Sequence, residues 1–144
     1  MDKIDTKIIQ LLKENSRTTC SDISKKVLLS VPAVTERLRK LEDENIIKQY
    51  SLRLNRKKIG LNMLAFVLIS IDNTEPKGDF RELIASSDWI FEAHHIAGEY
   101  DYLLKIAAEN TDKLEIYIAE VLQKITGVKK TNTIVVLSTT KENM

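Results

Sequence analysis

Nine consecutive residues, Met63 to Ile71 (MLAFVLISI), restrict what this chain can fold into more than any other stretch. The run falls well short of the roughly 20 apolar residues of a membrane span. Read as a strand, in which successive side chains point to opposite faces, it is apolar on both sides. Met63, Ala65, Val67, Ile69 and Ile71 form one face, Leu64, Phe66 and Leu68 the other. Beyond Ile71 the chain alternates between helical and strand periods. Pro76 to about Ser86 reads as a helix on Phe80, Leu83 and Ile84. Trp89 to Ala97 and Tyr102 to Ala108 read as strands around the turn Gly98-Glu99-Tyr100-Asp101. Thr111 and Asp112 open a second helix with Leu114, Ile118, Leu122 and Ile125 inward, Gly127 ends it, and Val128 to Leu137 is the last strand. The order β-α-β-β-α-β is that of the ferredoxin-like split βαβ unit. Two helices cover only one face of its sheet. The opposite face, also apolar in the first strand, needs another layer, and a second copy packed sheet to sheet is the economical one. A homodimer through the C-terminal sheet is therefore expected.

Ahead of the sheet the pattern is helical. Residues 2–14 carry Ile4, Ile8, Leu11 and Leu12 at helical spacing, with Asp2 or Asp5 near the start, and Asn15-Ser16-Arg17 breaks the helix. Thr19 caps a short second helix, Asp22 three residues on gives a weak capping-box echo, and Ile23 and Val27 face inward. After Leu28-Leu29, Ser30 is a good N-cap for a third helix and Pro32 sits in its first turn, where a missing N–H costs nothing. Val34, Leu38 and Leu41 form its apolar stripe. The outward side carries Pro32, Ala33, Glu36, Arg39, Lys40 and Asp43, flanked by Thr35 and Arg37. Three short helices joined by tight turns fit a helix-turn-helix. Small residues and arginines on the third helix suit a DNA major groove, because Arg grips guanine edges or phosphates and small side chains let the backbone approach. Taken alone, the segment also fits an ordinary amphipathic surface helix with solvated charges.

Ile46 to Leu54 reads as a strand, a wing beside the third helix, with Arg53, Arg56, Lys57 and Lys58 placed for phosphates. The fold class expected is α+β. It comprises a winged helix-turn-helix over 1–54, a basic linker over 55–62, and a ferredoxin-like βαββαβ domain over 63–144. A dimer of such chains presents two recognition helices to half-sites about one helical turn apart, or a multiple of that.

Charge supports the division. The chain's net charge is only +1, yet residues 1–60 hold 14 Lys/Arg against 8 Asp/Glu, while residues 61–144 hold 8 against 13. A basic front half on an acidic back half suggests a polyanion-binding module carried by a domain with another task. Cys20, the single cysteine, precludes an internal disulfide and fits a reducing compartment. The start MDKIDTKIIQ lacks a signal-peptide core. The expected location is cytoplasmic, with no membrane partner. His94 and His95 lie on opposite faces of a strand and cannot chelate one ion together; Glu92 shares a face with His94, but two ligands fall short of a metal site. Cys20 has no partner at metal spacing, Glu42-Asp43-Glu44 reads as a solvated helix end, and neither a phosphate loop nor a paired nucleophile is visible. No catalytic residue, metal or cofactor is expected.

Beyond these patterns, specific residues carry a resemblance. Ile4-Asp5, Asn15 and Arg17, Leu29-Ser30, Arg37, Leu41-Glu42 and Ile46-Ile47 stand as in the N-terminal half of the Lrp/AsnC (feast/famine) transcriptional regulators, and Ile59-Gly60-Leu61 matches their step into the second half. The chain departs from the family at Leu28 and Asn45, where Gly is usual. Asn tolerates the left-handed conformation of a helix C-cap, whereas Leu28 leaves the shape of that turn open. The resemblance spans Ile4 to Leu137. It implies a DNA-binding transcription regulator, for which the exposed face of the third helix and the basic segment after it offer Ser30, Pro32, Ala33, Thr35, Glu36, Arg37, Arg39, Lys40 and Arg53 as the expected contacts to double-stranded DNA. It also implies dimers that often build octamers. The family's Gly-x-Tyr-Asp turn, here Gly98, Glu99, Tyr100 and Asp101, and its Thr-x-Thr, here Thr131 and Thr133, lie where a free amino-acid effector binds between dimers. Gly98 would expose N–H groups to a carboxylate and Asp101 would accept from an ammonium. The plainer reading is a hairpin turn and an oligomer contact. An enzyme class competes with the regulator. Siroheme decarboxylases resemble Lrp/AsnC proteins over both halves, and His94 and His95 are the histidines available for such a role. The retained basic face of the third helix argues for DNA.

Overall fold

Three capped helices form the first of two units, Met1–Arg53, in a computed structural model that describes residues 1–72 and 78–142. Helix α1 (Lys3–Glu14) starts at Asp2, whose carboxylate accepts from the N–H groups of Ile4 and Asp5 while Asp5 accepts from Asp2 N–H, a reciprocal capping box. Helix α2 (Cys20–Val27) is capped by Thr19 through Asp22 N–H. Helix α3 (Val31–Asp43) is capped by Ser30 through Ala33 N–H. Ile8, Ile23, Val27, Val34 and Leu41 are buried together, with Leu11, Leu12, Leu38, Cys20 and Ile47 packed around them. Each fully buried side chain of this kind contributes about 1.5–3 kcal/mol, which holds three short helices that would not persist alone.

Leu28 ends α2 in the left-handed region, at φ 58° and ψ 44°, and Asn45 follows α3 at φ 56°. The turn before Ser30 therefore has the shape a glycine would give it, built with a leucine that is 88% exposed.

Residues 46–54 correct one expectation, because they form no strand. The N–H groups of Ile46 and Ile47 both donate to the Leu41 carbonyl, at 2.9 and 3.0 Å, so the chain leaving α3 is spent on closing that helix. Beyond it no strand among the described residues pairs with Tyr50, Leu52 or Leu54, and an extended segment without a ladder partner is not a strand. Arg56–Ile59, inside the expected linker, forms a single 3₁₀ turn that Asn55 caps and Gly60 closes at φ 89°.

The second unit, Leu54–Met144, carries the sheet. Strands β1 (Met63–Ile71), β2 (Ile90–His95), β3 (Tyr102–Ala108) and β4 (Val128–Val135) lie in the antiparallel order β2-β3-β1-β4. Helix α4 (Gly78–Ser86) connects β1 to β2; the start expected at Pro76 lies outside the described residues. Helix α5 (Thr111–Tyr117), capped by Asn110 rather than opened by Thr111 itself, continues into a π turn over Ile118–Leu122, closed by Gln123 N–H on the Ile118 carbonyl. Tyr117, one turn on from Leu114, joins Leu114 and Leu122 in the core, and Ile118 and Ile125 pack against it.

Ala65, Val67 and Ile69 of β1 and Leu104 and Ile106 of β3 are fully buried beneath the helices with Phe80. The register puts Phe66, opposite Lys105 and Ile134, and Leu68, opposite Leu103 and Asn132, on the other face. There Phe66, Leu68 and Leu103 are half-buried and Ile134 is exposed.

Candidate nucleic-acid interface and effector turn

The outward face of α3 is shaped by its N-terminus. Val31 and Pro32 occupy the first turn without large polar groups, and Ala33 keeps the following turn low. Pro32, Thr35, Glu36, Arg39, Lys40 and Asp43 are exposed, Ala33 is half-buried, and Ser30 and Arg53 are exposed at either side of the helix in sequence. Thr35 Oγ1 donates to the Val31 carbonyl at 3.0 Å.

The charges on this face are paired along the helix. Arg39 donates to Glu36 (Nη2–Oε1 2.7 Å, Nε–Oε2 3.2 Å) and to Asp43 at 3.4 Å, while Lys40 reaches Glu44 at 3.7 Å. The bond from Arg39 holds the Glu36 carboxyl below its usual range. Exposed pairs three or four residues apart contribute little to stability and open readily. Arg39 and Lys40 can therefore exchange these carboxylates for DNA phosphates.

Arg37 behaves differently. Its guanidinium is turned away from the outward face, and one nitrogen donates to Asp2 Oδ2 at 2.7 Å and Asp5 Oδ1 at 2.6 Å. The Asp2 carboxyl is held at about 2, first by Asp5 N–H and then by Arg37, and Asp5 is lowered by Asp2 N–H and Arg37 in the same order. Helical spacing shows where Arg37 sits on α3 but carries no signal for this partner, which lies more than thirty residues earlier in the chain. Arg56, read as a phosphate contact, donates instead to the carbonyls of Leu61 and Asn62.

In the second unit the turn between β2 and β3 is tied to the end of β1. Asp101 N–H donates to the Ile69 carbonyl, and the Asp101 carboxylate accepts from Ile71 N–H at 2.7 Å and from Ser70 Oγ at 3.4 Å. Asp101 thus acts as a staple across strand ends, with both of these donors on one carboxylate oxygen, Oδ2. Gly98 (φ 157°) has open space where a Cβ would stand. Glu99 pairs with Lys130 at 3.0 Å, and the Lys130 ammonium stands 5.0 Å from the Tyr100 ring centroid. Lys130, absent from the residues read from sequence, is the link between the turn and β4. Its place beside the Thr-x-Thr residues was the only available hint.

Thr131 and Thr133 lie on the helix side of β4, opposite Ile69 and Val67. Thr131 accepts from Gln123 Nε2 at 2.9 Å and lines an open cleft with Gln123, Val128, Lys129 and Lys130. Thr133 opens into a separate cleft of about 460 Å³ between α5, its π turn and β4. One chain therefore brings Glu99, Tyr100 and Lys130 together, while Thr131, the next residue of β4, lies on the helix side with Gln123 and Thr133 lines a neighbouring hollow. His94 contacts Glu92 at 3.5 Å, whereas His95 lies against the Tyr102 ring, so the two imidazoles occupy opposite faces. No group of three metal-ligating side chains occurs among the described residues.

Comparison with known proteins gives these features a setting. The model for the Lrp/AsnC ligand binding domain matches residues 64–144, and one for winged helix-turn-helix DNA-binding matches residues 1–48. The chain is 34% identical over 146 residues to an HTH-type transcriptional regulator of Pyrococcus horikoshii, covering 100% of this chain and 97% of that one. It is 39% identical over 118 residues to the HTH-type transcriptional regulator LrpC of Bacillus subtilis, covering 82% of this chain and 81% of LrpC. The solved structure of LrpC superposes with a TM-score of 0.88 at 35% identity, over 98% of this chain and 97% of that one. A transcriptional regulator of Neisseria meningitidis, solved in complex with L-Met, superposes with a TM-score of 0.94 at 30% identity, over 99% of this chain and 94% of that one.

Proposed function

The chain belongs to the Lrp/AsnC family of DNA-binding transcriptional regulators, and from that premise we propose how its parts are used. Its function is regulation of transcription through DNA binding, and the family is one of regulators, not enzymes, so the tetrapyrrole reading of His94 and His95 falls away. Helix α3 enters the major groove with Ser30, Pro32, Ala33, Thr35 and Glu36 over the bases, while Arg39, Lys40 and Arg53 meet phosphates or base edges. The observation that carries this assignment is the exposed face of α3, whose cations Arg39 and Lys40 pair with exposed carboxylates of neighbouring turns.

Two chains pair through the sheet face bearing Phe66, Leu68, Leu103 and Ile134, placing two α3 helices on one duplex, and dimers join into a higher oligomer such as an octamer. A free amino acid binds at the turn Gly98–Asp101 and the start of β4. Lys130 and Gly98 offer positive charge and N–H groups to its carboxylate, while Glu99 and Thr131 offer acceptors to its ammonium. Thr133 and its cleft are placed for the side chain. The L-Met complex of the Neisseria regulator supports an amino-acid ligand and makes methionine the first candidate. The protein acts in the cytoplasm.

The test is a fluorescence-anisotropy titration on duplexes that the protein selects from a random pool, repeated with each of the twenty amino acids. Selective binding shifted by one amino acid is the expected result. Arg39→Ala with Lys40→Ala should weaken that binding well over tenfold and leave the dimer intact; unchanged affinity would put the DNA face elsewhere on the molecule. Selective binding indifferent to all twenty would reduce the turn to an assembly contact.

A further inference from the structure

Arg37 lies in the middle of α3 yet spends its charge on the first turn of α1. Each of its two partners divides its oxygens between two tasks. Asp2 uses Oδ1 for the N–H groups of Ile4 and Asp5 and Oδ2 for Arg37. Asp5 uses Oδ2 for Asp2 N–H and Oδ1 for Arg37. The capping box holds both carboxylates rigidly on the first turn of α1, and Arg37 reads that rigid pair from α3. The Arg37 and Asp5 side chains are 31% and 14% exposed, so this half of the contact is sheltered compared with the ion pairs on the outward face, whose side chains are 46–69% exposed; Asp2, at 52%, is the open side of the clamp.

The packing of α3 shows what this contact adds. Val34, Leu38 and Leu41 bury one stripe, and an apolar stripe resists separation far more than rotation about the helix axis, because dispersion contacts are non-directional. Hydrogen bonds from one guanidinium nitrogen to two fixed oxygens are directional. Arg37 lies about 60° around α3 from Val34 at 100° per residue, on the side of Ala33 and Lys40, where it opposes rotation of the outward face.

We propose that Arg37 is a positioning residue, clamped between Asp2 and Asp5 so as to set the angle at which α3 meets DNA, and that it makes no DNA contact itself. This rests on the reading that α3 docks in the groove. It reverses the role that the position of Arg37 on the recognition helix suggests.

The two roles predict opposite signs for one experiment. Asp2→Asn with Asp5→Asn removes two negative charges from each chain and keeps side chains that still cap α1. If Arg37 served phosphates, freeing it would raise affinity. On the clamp reading, affinity for the duplex selected by wild-type protein falls about tenfold while affinity for unselected duplex is unchanged or higher, so the selectivity ratio drops. The second measurement uses Arg37→Met/Asp2→Asn/Asp5→Asn, which leaves no uncompensated charge at the clamp. Its slope of log K against log salt stays at the wild-type value, whereas loss of a phosphate contact would reduce the slope by about 0.9 per chain. Thermal melts establish that each variant folds. If the double variant is unfolded, the salt slope of the triple variant decides, and if that also fails, Arg37→Lys does. The lysine keeps a cation on a shorter reach, so the clamp reading expects lowered selectivity, while a phosphate role expects selectivity and slope to be retained. Higher affinity of the double variant for the selected duplex, or a reduced slope in the triple, overturns the proposal. Wild-type protein that selects no sequence would overturn the docking reading and this one with it.

Discussion

Replacing Leu28 with glycine should stabilise the DNA-binding unit, and the structure allows the size of the effect to be worked out. Leu28 is held at φ 58° and ψ 44° because its N–H closes the end of α2 on the Ser24 carbonyl and the chain must then reverse toward Ser30. An L-residue with a Cβ in that region carries roughly 1–2 kcal/mol of strain. The side chain recovers almost none of this by burial, being 88% exposed. Glycine removes the strain but gives the unfolded chain more freedom, which costs about 0.4–1 kcal/mol. The balance is a gain of about 0.5–1 kcal/mol. Urea unfolding followed by far-UV circular dichroism should show a higher midpoint with an unchanged slope. Leu28→Ala is the control. It removes the exposed leucine but keeps a Cβ, so no gain is expected. Asn45→Gly, at φ 56°, should gain less than Leu28→Gly because asparagine already tolerates this conformation. A neutral or destabilising Leu28→Gly would refute the reasoning. An equal gain from Leu28→Ala would do so too, since the effect would then belong to the side chain and not to the backbone.

The same geometry sets further outcomes. Asp2 titrates at about 2 when folded against 3.8 unfolded, and Asp5 is lowered as well. The unfolded state therefore binds more protons, and this contribution, complete above about pH 4, is lost as pH falls toward 2. Melting temperature measured across that window should fall less steeply in Asp2→Asn/Asp5→Asn than in wild type; parallel curves would mean the capping box and clamp contribute nothing to acid stability. Tyr50 is pushed up to about 12 by burial and then by its 2.8 Å bond to Glu42, so ultraviolet titration of Glu42→Gln should bring one tyrosine back toward 10. Phe66→Asp places a charge on the proposed dimer face. Sedimentation should show dimerisation weakened at least about a hundredfold, as expected for an unpaired buried carboxylate; an intact dimer would mean the chains pair through another surface.

The clearest parts of the sequence were those in which one local rule decides. Asp2, Thr19 and Ser30 announce helix starts because a short oxygen-bearing side chain is what an open helix end requires. Met63–Ile71 announces a central strand because only a strand covered on both sides suits a two-faced apolar run. The bounds of β3, Tyr102–Ala108, could be read directly from its alternation and flanking turn residues. The wing could not. Ile46–Leu54 has strand-like residues, but a strand is a relation between two segments, and no strand among the described residues pairs with this one. The π turn after Tyr117 was hidden for a related reason, since a periodicity of 3.6 assumes the regular hydrogen bonding that Gln123 and Ile118 depart from.

The sites divide along the same line. The order of elements, the apolar stripes and the face of α3 that looks outward are consequences of spacing, and spacing belongs to the sequence. Which cations on that helix are available is a matter of where charges from distant segments arrive. Arg37 and Arg39 are two residues apart, one on the flank of the outward side and one on it, but spacing does not say that the first meets Asp2 and Asp5 across the unit while the second pairs with Glu36 and Asp43 of its own helix. Likewise it is β1 that brings Ile71 N–H to Asp101 Oδ2, and β4 that brings Lys130 to Glu99 in the turn. Hydrogen bonds and ion pairs act over a few ångströms in space, whereas the sequence orders residues only along the chain, so the assignment of individual charges was left to the tertiary fold.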